Sequence, residues 1–271
     1  MSKSIAVLQD RADRPVFLRG RMVRRPRQLC SEAVQALLTH LAEVGFVEAP
    51  LPGRVSKRWE HQSYLSGVAG DDACRLVDTN KAVAQVGALL RRYHDAVEGW
   101  QSERKLTWFD GQTGTGGPGE LVCHGDPGPW NLVWRRGKLV GLIDWEYATV
   151  GTRRNDVAYA LHYLVPFRDR SYWQGVLGLA RRPRRWDRMQ AFAEGYGMEL
   201  DDELVEAVFD SQRAGVQRMM ELAERGHPRY RQMILDGKLE RELGAVRWVE
   251  GHRHRFWLTP SYSTTRTILP V

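Results

Sequence analysis

Along the chain the hydrophobic positions switch between the two-residue period of a strand and the three-to-four-residue period of a helix. Residues 16 to 25, VFLRGRMVRR, predict two short strands around Gly20, a hairpin that Pro26 ends because it cannot donate to a ladder. From Ser31 the period lengthens: Val34, Leu37, Leu38 and Leu41 share one helical face, Ser31 can cap the helix, Glu32 suits its first turn and Gly45 stops it. Pro50-Leu51-Pro52 then breaks the pattern, and the polar stretch Ala69 to Asp72 predicts a connection, with a boundary near residue 66. A long helix follows from about Thr79 to Val97, with Val83, Val86, Leu89, Leu90 and Tyr93 as its apolar stripe. Gly111 to Gly119 predicts a flexible loop; its glycines lack the Gly-Lys-Ser/Thr ending of a P-loop. Beyond residue 156 the periodicity predicts helices near 156 to 165, 186 to 197, 201 to 225 and 229 to 249, with no internal repeat.

At 271 residues and 42% hydrophobic content the chain can build one large domain or two lobes sharing a cleft. No run approaches the about eighteen apolar residues of a membrane span, and the first residues lack an export signal, so a cytoplasmic location and no membrane partner are expected. The three cysteines, Cys30, Cys74 and Cys123, have no zinc or disulfide spacing and are expected as reduced thiols. A net charge of +7 admits polyanionic partners. Its densest source, Arg181 to Arg188, reads either as a solvated surface run or as a dock for an acidic substrate. A nucleic-acid-binding module would rest on charge alone, with no recognition motif beside it, so nucleic acid is not an expected partner. The tail from Gly251 carries His252, His254 and Trp257 in no pattern that assigns a role.

Residues 121 to 146, LVCHGDPGPWNLVWRRGKLVGLIDWE, concentrate the chemistry. An apolar strand leads into a loop holding His124, Asp126 and Asn131; Leu132-Val133-Trp134 forms a strand, Arg136-Gly137 turns, and Leu139 to Ile143 returns to Asp144. Hairpin closure sets Asn131 beside Asp144. A carboxylate and an amide oxygen suit magnesium, which binds hard oxygens together with nucleotide phosphates. The spacing His-x-Asp-x-x-x-x-Asn is similar to that of the protein-kinase catalytic loop, in which the Asp receives the acceptor hydroxyl's proton and the Asn holds metal. On that reading Asp126 is the base, Asn131 and Asp144 are the metal ligands, and His124 holds the loop by hydrogen bonds.

His124-Gly125-Asp126, Asn131 and Ile143-Asp144-Trp145-Glu146 together resemble the aminoglycoside phosphotransferase and choline kinase family, and Leu90, His94, Gly151 and Asp156-Val157-Ala158 extend the resemblance over roughly residues 80 to 165. The resemblance implies an α+β, bilobal, protein-kinase-like fold, with a small β-containing N-terminal lobe (residues 1 to 66) and a larger, mainly helical C-terminal lobe (67 to 271). It implies Mg2+ and ATP or GTP as phosphate donor, and Asp156 as the buried anchor of the catalytic loop. In the first lobe, Met22 to Pro26 looks like the strand that carries the family's phosphate-gripping lysine, yet only Lys3 precedes Lys57. Arg24 aligns best with that lysine and Arg25 next, with Glu32 as the expected ion-pair partner. Gln62, Ser63, Tyr64 and Leu65 resemble the interlobe hinge whose backbone would bind the base. Only Gly20 precedes Gly45, so the glycine-rich loop over the phosphates is reduced or rebuilt.

The expected activity is transfer of a γ-phosphate to a hydroxyl of a small natural product or of Ser/Thr in a peptide, in biosynthesis or antibiotic resistance. The basic balance favours a neutral or acidic acceptor over a polycation, for which Glu194 and Glu199 to Glu206 are the dense acidic supply. A partner protein compensating for the reduced lobe is a further expectation. The rival reading is a catalytically silent kinase-shaped binding, scaffold or immunity protein, motivated by the missing lysine and glycine-rich loop.

Overall fold

In the computed structural model, which describes residues 5–10, 14–253 and 256, two lobes of mixed α+β character meet across a cleft. Lys3, His254 and Trp257 lie outside the described residues. The first lobe orders β1 (Ile5–Gln9), β2 (Val16–Arg19), β3 (Met22–Pro26), α1 (Ser31–Glu43), β4 (Pro52–Val55) and β5 (Trp59–Ser63). Its strands make one antiparallel sheet in the order β1-β2-β3-β5-β4. Alternation around Gly20 predicts β2 and β3. β1 escapes it because its side chains are mostly exposed, and β4 because it opens on Pro52-Gly53. The lobe holds one five-stranded sheet and its helix, and the sequence between β1 and β2 contains no glycine.

α1 begins at Ser31, but that hydroxyl accepts a hydrogen bond from the Gln28 N–H, outside the helix, rather than capping it. Val34, Leu37, Leu38 and Leu41 are buried in a core shared with the second lobe. The Cys30 thiol reaches the Glu146 carbonyl at 3.4 Å and His40 stacks on Trp100 at 4.8 Å, so α1 is pinned to the second lobe.

After β5 the chain crosses at Val68, which exchanges backbone hydrogen bonds of 2.8 and 2.9 Å with Trp134. α2 (Asp71–Cys74) leads to α3 (Asn80–Val97), capped by the Thr79 hydroxyl on the Ala82 N–H. The Gly-rich segment is mostly exposed and turns over buried Trp108, whose indole donates to the Gly114 carbonyl at 2.6 Å. β6 (Leu121–Cys123), β7 (Leu132–Arg135), β8 (Lys138–Leu142) and β9 (Thr149–Gly151) follow, with β6 paired to β9 and β7 to β8.

The rest is helical: α4 (Arg153–Leu164), α5 (Arg170–Gly175), α6 (Arg185–Tyr196), α7 (Asp202–Glu224), α8 (Pro228–Leu235) and α9 (Lys238–His252). The single helix expected over 229 to 249 is two, because Gly237 takes the left-handed conformation between them. α3 and α6 cross in backbone contact: a Cβ on Gly87 would sit 2.3 Å from the Phe192 carbonyl, and one on Gly195 2.1 Å from that of Ala84. Arg188, expected as surface charge or as part of a dock, is buried and donates to the Leu164, Asp78 and Val77 carbonyls. Arg185 likewise donates to the carbonyls of Pro166 and Arg168, which leaves Arg181, Arg182 and Arg184 as the exposed part of that cluster. Among the described residues no helix is long and apolar enough to cross a membrane.

Candidate functional site

The loop between β6 and β7 is built around the buried carboxylate of Asp156 on α4. That carboxylate accepts the backbone N–H groups of His124 at 2.7 Å and Gly125 at 2.9 Å, and the His94 ring at 3.2 Å. Burial alone would raise its pKa, but the hydrogen bonds from the His94 ring and the Gly125 N–H hold it below the usual carboxylate value. Gly125 has φ +79, and a Cβ there would lie 2.0 Å from the Tyr147 carbonyl, so the turn admits only glycine. His124 is buried. Its Nδ1 accepts the Asp126 N–H at 3.2 Å and its Nε2 faces the Ile143 carbonyl at 3.1 Å, which assigns the proton to Nε2. Burial keeps it neutral, with its pKa lowered. It ties the Asp126 loop to the end of β8.

Asp126 stands at the end of this scaffold. The Tyr159 hydroxyl donates to its Oδ1 at 2.5 Å; the Asn131 amide at 2.9 Å and the Trp130 indole at 3.3 Å donate to its Oδ2. Burial pushes its pKa up to about 7, against the hydrogen bond from Tyr159 and assisted by the charge of Asp144. A carboxylate poised there can hold a hydroxyl proton at neutral pH. The Asn131 Nδ2 is spent on Asp126, while its Oδ1 accepts no hydrogen bond among the described residues. The Ile143 N–H bonds to the Asn131 carbonyl at 2.9 Å, which brings Asp144 alongside.

Asp144 adopts φ 66, ψ 59, a left-handed conformation that costs a non-glycine residue about 1 kcal/mol or more and turns its carboxylate into the cleft. There it meets Arg25 at 2.6 Å and Arg14 at 3.1 Å. Burial would raise its pKa, but Arg14 and then Arg25 bring it down to about 2. Arg14 also pairs with Glu146, which Arg229 reaches at 2.8 Å. Asp144 thus lies in a field of guanidinium groups facing the cleft.

Two residues expected here lie elsewhere. Arg24 and Arg25 alternate across β3, so only one can face the cleft. Arg25 is that one, buried and paired to Glu60 directly across on β5. Arg24 lies on the opposite face, stacked over Trp59 at 4.4 Å and Phe17 at 5.4 Å. Glu32 is exposed and pairs with Arg27 at 3.3 Å, because it starts α1 on the solvent side. The ion pair expected of Arg24 and Glu32 is formed by Arg25 and Glu60. Of the expected hinge, the Ser63 N–H is spent on Leu51 and the Tyr64 N–H on Arg21, while Gln62 presents a buried Oε1 without a partner and Leu65 packs against Gly141.

Arg14, Glu60, Trp130, Tyr159 and Arg229 are site residues that the sequence reading did not reach. Only Tyr159 left a signal: it lies one helical turn after Asp156 and so on the same face. Beyond Asp126 opens a cavity of about 630 Å³ walled by the Asp126 loop and helices α4, α7, α8 and α9. Among the described residues no three His, Cys, Asp or Glu side chains converge as a self-sufficient metal cage. The Asp144 carboxylate and the free Asn131 oxygen are instead the partial oxygen set that fits magnesium arriving with a phosphate chain.

His162, on the cavity wall, stacks on Tyr163 at 4.2 Å, with Arg168 3.5 Å from its Nε2. Burial first and the Arg168 charge second hold its pKa well below the ordinary histidine value of about 6.5. The unfolded chain therefore takes up a proton that the folded chain refuses. The stability is present above about pH 6.5 and is lost as pH falls below it, by up to about 1.4 kcal/mol per pH unit. His162→Gln is expected to flatten the urea-derived stability curve between about pH 6.5 and 5. An unchanged slope would mean that this ring titrates normally in the folded state.

Residues 100–192 match the family model described as the phosphotransferase enzyme family. The trifolitoxin immunity protein of Rhizobium leguminosarum bv. trifolii is 32% identical over 184 residues, 68% of this chain and 70% of that protein. Among solved structures, the amicoumacin kinase hAmiN in complex with AMP-PNP, Ca2+ and Ami superposes with a TM-score of 0.60 at 13% identity, covering 86% of this chain and 88% of that one. The GDP and kanamycin complex of the phosphotransferase APH(2")-IIIa gives a TM-score of 0.57 at 12% identity, covering 93% and 95%. At these identities the two structures establish the kinase-like fold.

Proposed function

Because the chain belongs to the phosphotransferase enzyme family, we propose that it transfers the terminal phosphoryl group of ATP or GTP to a hydroxyl of a small molecule or of a Ser/Thr side chain. The observation that carries this reading is the Asp126 carboxylate, oriented by Tyr159, Trp130 and Asn131 at the mouth of a cavity and joined through Asn131 to Asp144. In this role Asp126 aligns the acceptor hydroxyl and takes its proton. Tyr159 fixes which oxygen does so.

Asp144 and the Asn131 Oδ1 would hold Mg2+, which when bound neutralises charge on the phosphate oxygens. Arg25, locked by Glu60, stands where a nucleotide's phosphates would enter and supplies the positive charge for which the family uses lysine. An arginine binds phosphate through a rigid fork and never deprotonates, so it suits a fixed anchor. Gln62 and the segment through Leu65 border the position of the base, and the buried Gln62 Oε1 is the acceptor available to it.

The test is a thermal-shift titration with ATP or GTP and Mg2+. A nucleotide at about one hundred times its Kd should add about 2.7 kcal/mol of apparent stability, and Asp144→Asn should remove most of that gain. If neither nucleotide stabilises the wild type, phosphoryl transfer is the wrong reading.

A second reading, immunity through binding alone, is favoured by the name of the curated relative, a toxin-immunity protein. The two separate in a protection assay against a toxic compound or peptide. An enzyme loses protection with Asp126→Asn, and a binding protein keeps it.

A further inference from the structure

We propose that the cavity beside Asp126 takes an anionic hydroxyl compound, one whose carboxylate or phosphate group is bound by Arg218 and Lys238. This deepens the phosphotransferase reading and rests on it for which group of the compound reacts. The argument is the charge left over in the lining. Apart from Asp126, each acidic group there is already neutralised or hydrogen-bonded. Asp210 pairs with Arg213 at 2.9 Å, Glu242 with Arg168 at 2.8 Å, and Asp156 is spent on the catalytic loop. Two of the lining cations are also spent: Arg154 on Asp201 and Glu203, and Arg229 on Glu146.

Arg218, near the end of α7, and Lys238, at the start of α9, also line the cavity, and neither makes an ion pair or hydrogen bond within the described residues. Both are half-buried. Lys238 makes no ion pair, though the charges of Glu242 first and Asp126 second act on it, and the charge of Arg218 acts on the Tyr230 phenol. A half-buried cation with no partner is disfavoured in the folded protein, and an anionic ligand relieves that cost. The remaining wall mixes small and aliphatic residues with aromatic ones, including Trp130, Tyr147 and Tyr230, a surface for an apolar or sugar-ring body. A polycation would meet like charge from the two unspent groups with no free carboxylate to offset it except the catalytic one.

The test uses one skeleton in four charge states: gluconate, glucose 6-phosphate, glucose and glucosamine, with kanamycin as a polycation. Binding to the full chain is measured by calorimetry without nucleotide, so the result does not depend on turnover. Gluconate and glucose 6-phosphate are expected to bind at least about tenfold more tightly than glucose, with glucosamine and kanamycin weaker still. The ratio of gluconate to glucose 6-phosphate affinity tells whether the carboxylate or the phosphate ester is the better match.

Arg218→Gln/Lys238→Gln should erase the preference for the anions while leaving the melting temperature within a few degrees, since neither side chain has a protein partner to lose. Anion preference that survives in the double variant, no measurable anion binding, or cations binding as well as anions would each overturn the proposal. If that substitution unfolds the chain, Arg218→Lys/Lys238→Arg, which keeps both charges, must retain the preference. Failure of these arms leaves the nucleotide titration standing, and failure of that titration leaves the charge preference standing.

Discussion

Asp126→Asn is expected to reduce acceptor-dependent turnover by a factor of about 100 to 10,000, the usual worth of a positioned general base. The change is nearly isosteric, but it replaces a carboxylate that can take a proton by an amide that cannot. One oxygen receives the Tyr159 hydroxyl at 2.5 Å, the other the Asn131 amide and the Trp130 indole. An asparagine can keep its carbonyl toward Asn131 and Trp130 and donate its amide to the Tyr159 oxygen, which accepts as well as donates, so the loop keeps its contacts and loses its proton acceptor. Steady-state turnover with nucleotide saturating, beside a melting curve that shows the variant folded, is the measurement. Activity within about threefold of wild type would exclude Asp126 from the proton's path.

The second large effect concerns the first lobe. Arg25→Met should cost about 3–5 kcal/mol in denaturant unfolding, because it leaves the Glu60 carboxylate, 3% exposed, without its partner in the interior. The same substitution removes one of the two guanidinium groups from Asp144 and should weaken nucleotide stabilisation as well. Glu32→Gln, which touches only an exposed pair with Arg27, should stay within about 0.5 kcal/mol of wild type. The contrast is the point of the experiment. A large loss from Glu32→Gln with a small one from Arg25→Met would mean that the lobe is held by the opposite pairing.

These two experiments divide along the line between local and long-range information. His124, Gly125, Asp126, Asn131 and Asp144 fall within twenty-one residues of one another, and their arrangement depends on a loop and a two-stranded hairpin. Such units are specified by nearby turn residues and by apolar alternation, so the loop and its hairpin could be read before any fold was known. The long helices were equally legible, since the stripes of α3 and α7 repeat over several turns. Where one strong turn residue interrupts a weak pattern, as Gly237 does between α8 and α9, the boundary was not.

Which arginine of β3 enters the cleft is a different kind of question. Arg24 and Arg25 are chemically identical and adjacent; a slip of one residue in register exchanges their faces, and register is set by pairing with β5 far along the chain. The partner carboxylate, Glu60, comes with that pairing and not with the nearer helix that carries Glu32. Tyr159, Arg14 and Arg229 reach the site from three other elements, and the unspent charge of Arg218 and Lys238 exists only because neighbouring acids found partners of their own. The sequence by itself determined the Asp126 loop, the hairpin behind it and the helical stripes, because short-range turn chemistry and periodicity are properties of contiguous residues. Only the tertiary structure decided which side chains complete the site and what charge its cavity presents, because those depend on pairings between residues that the chain brings together across long separations.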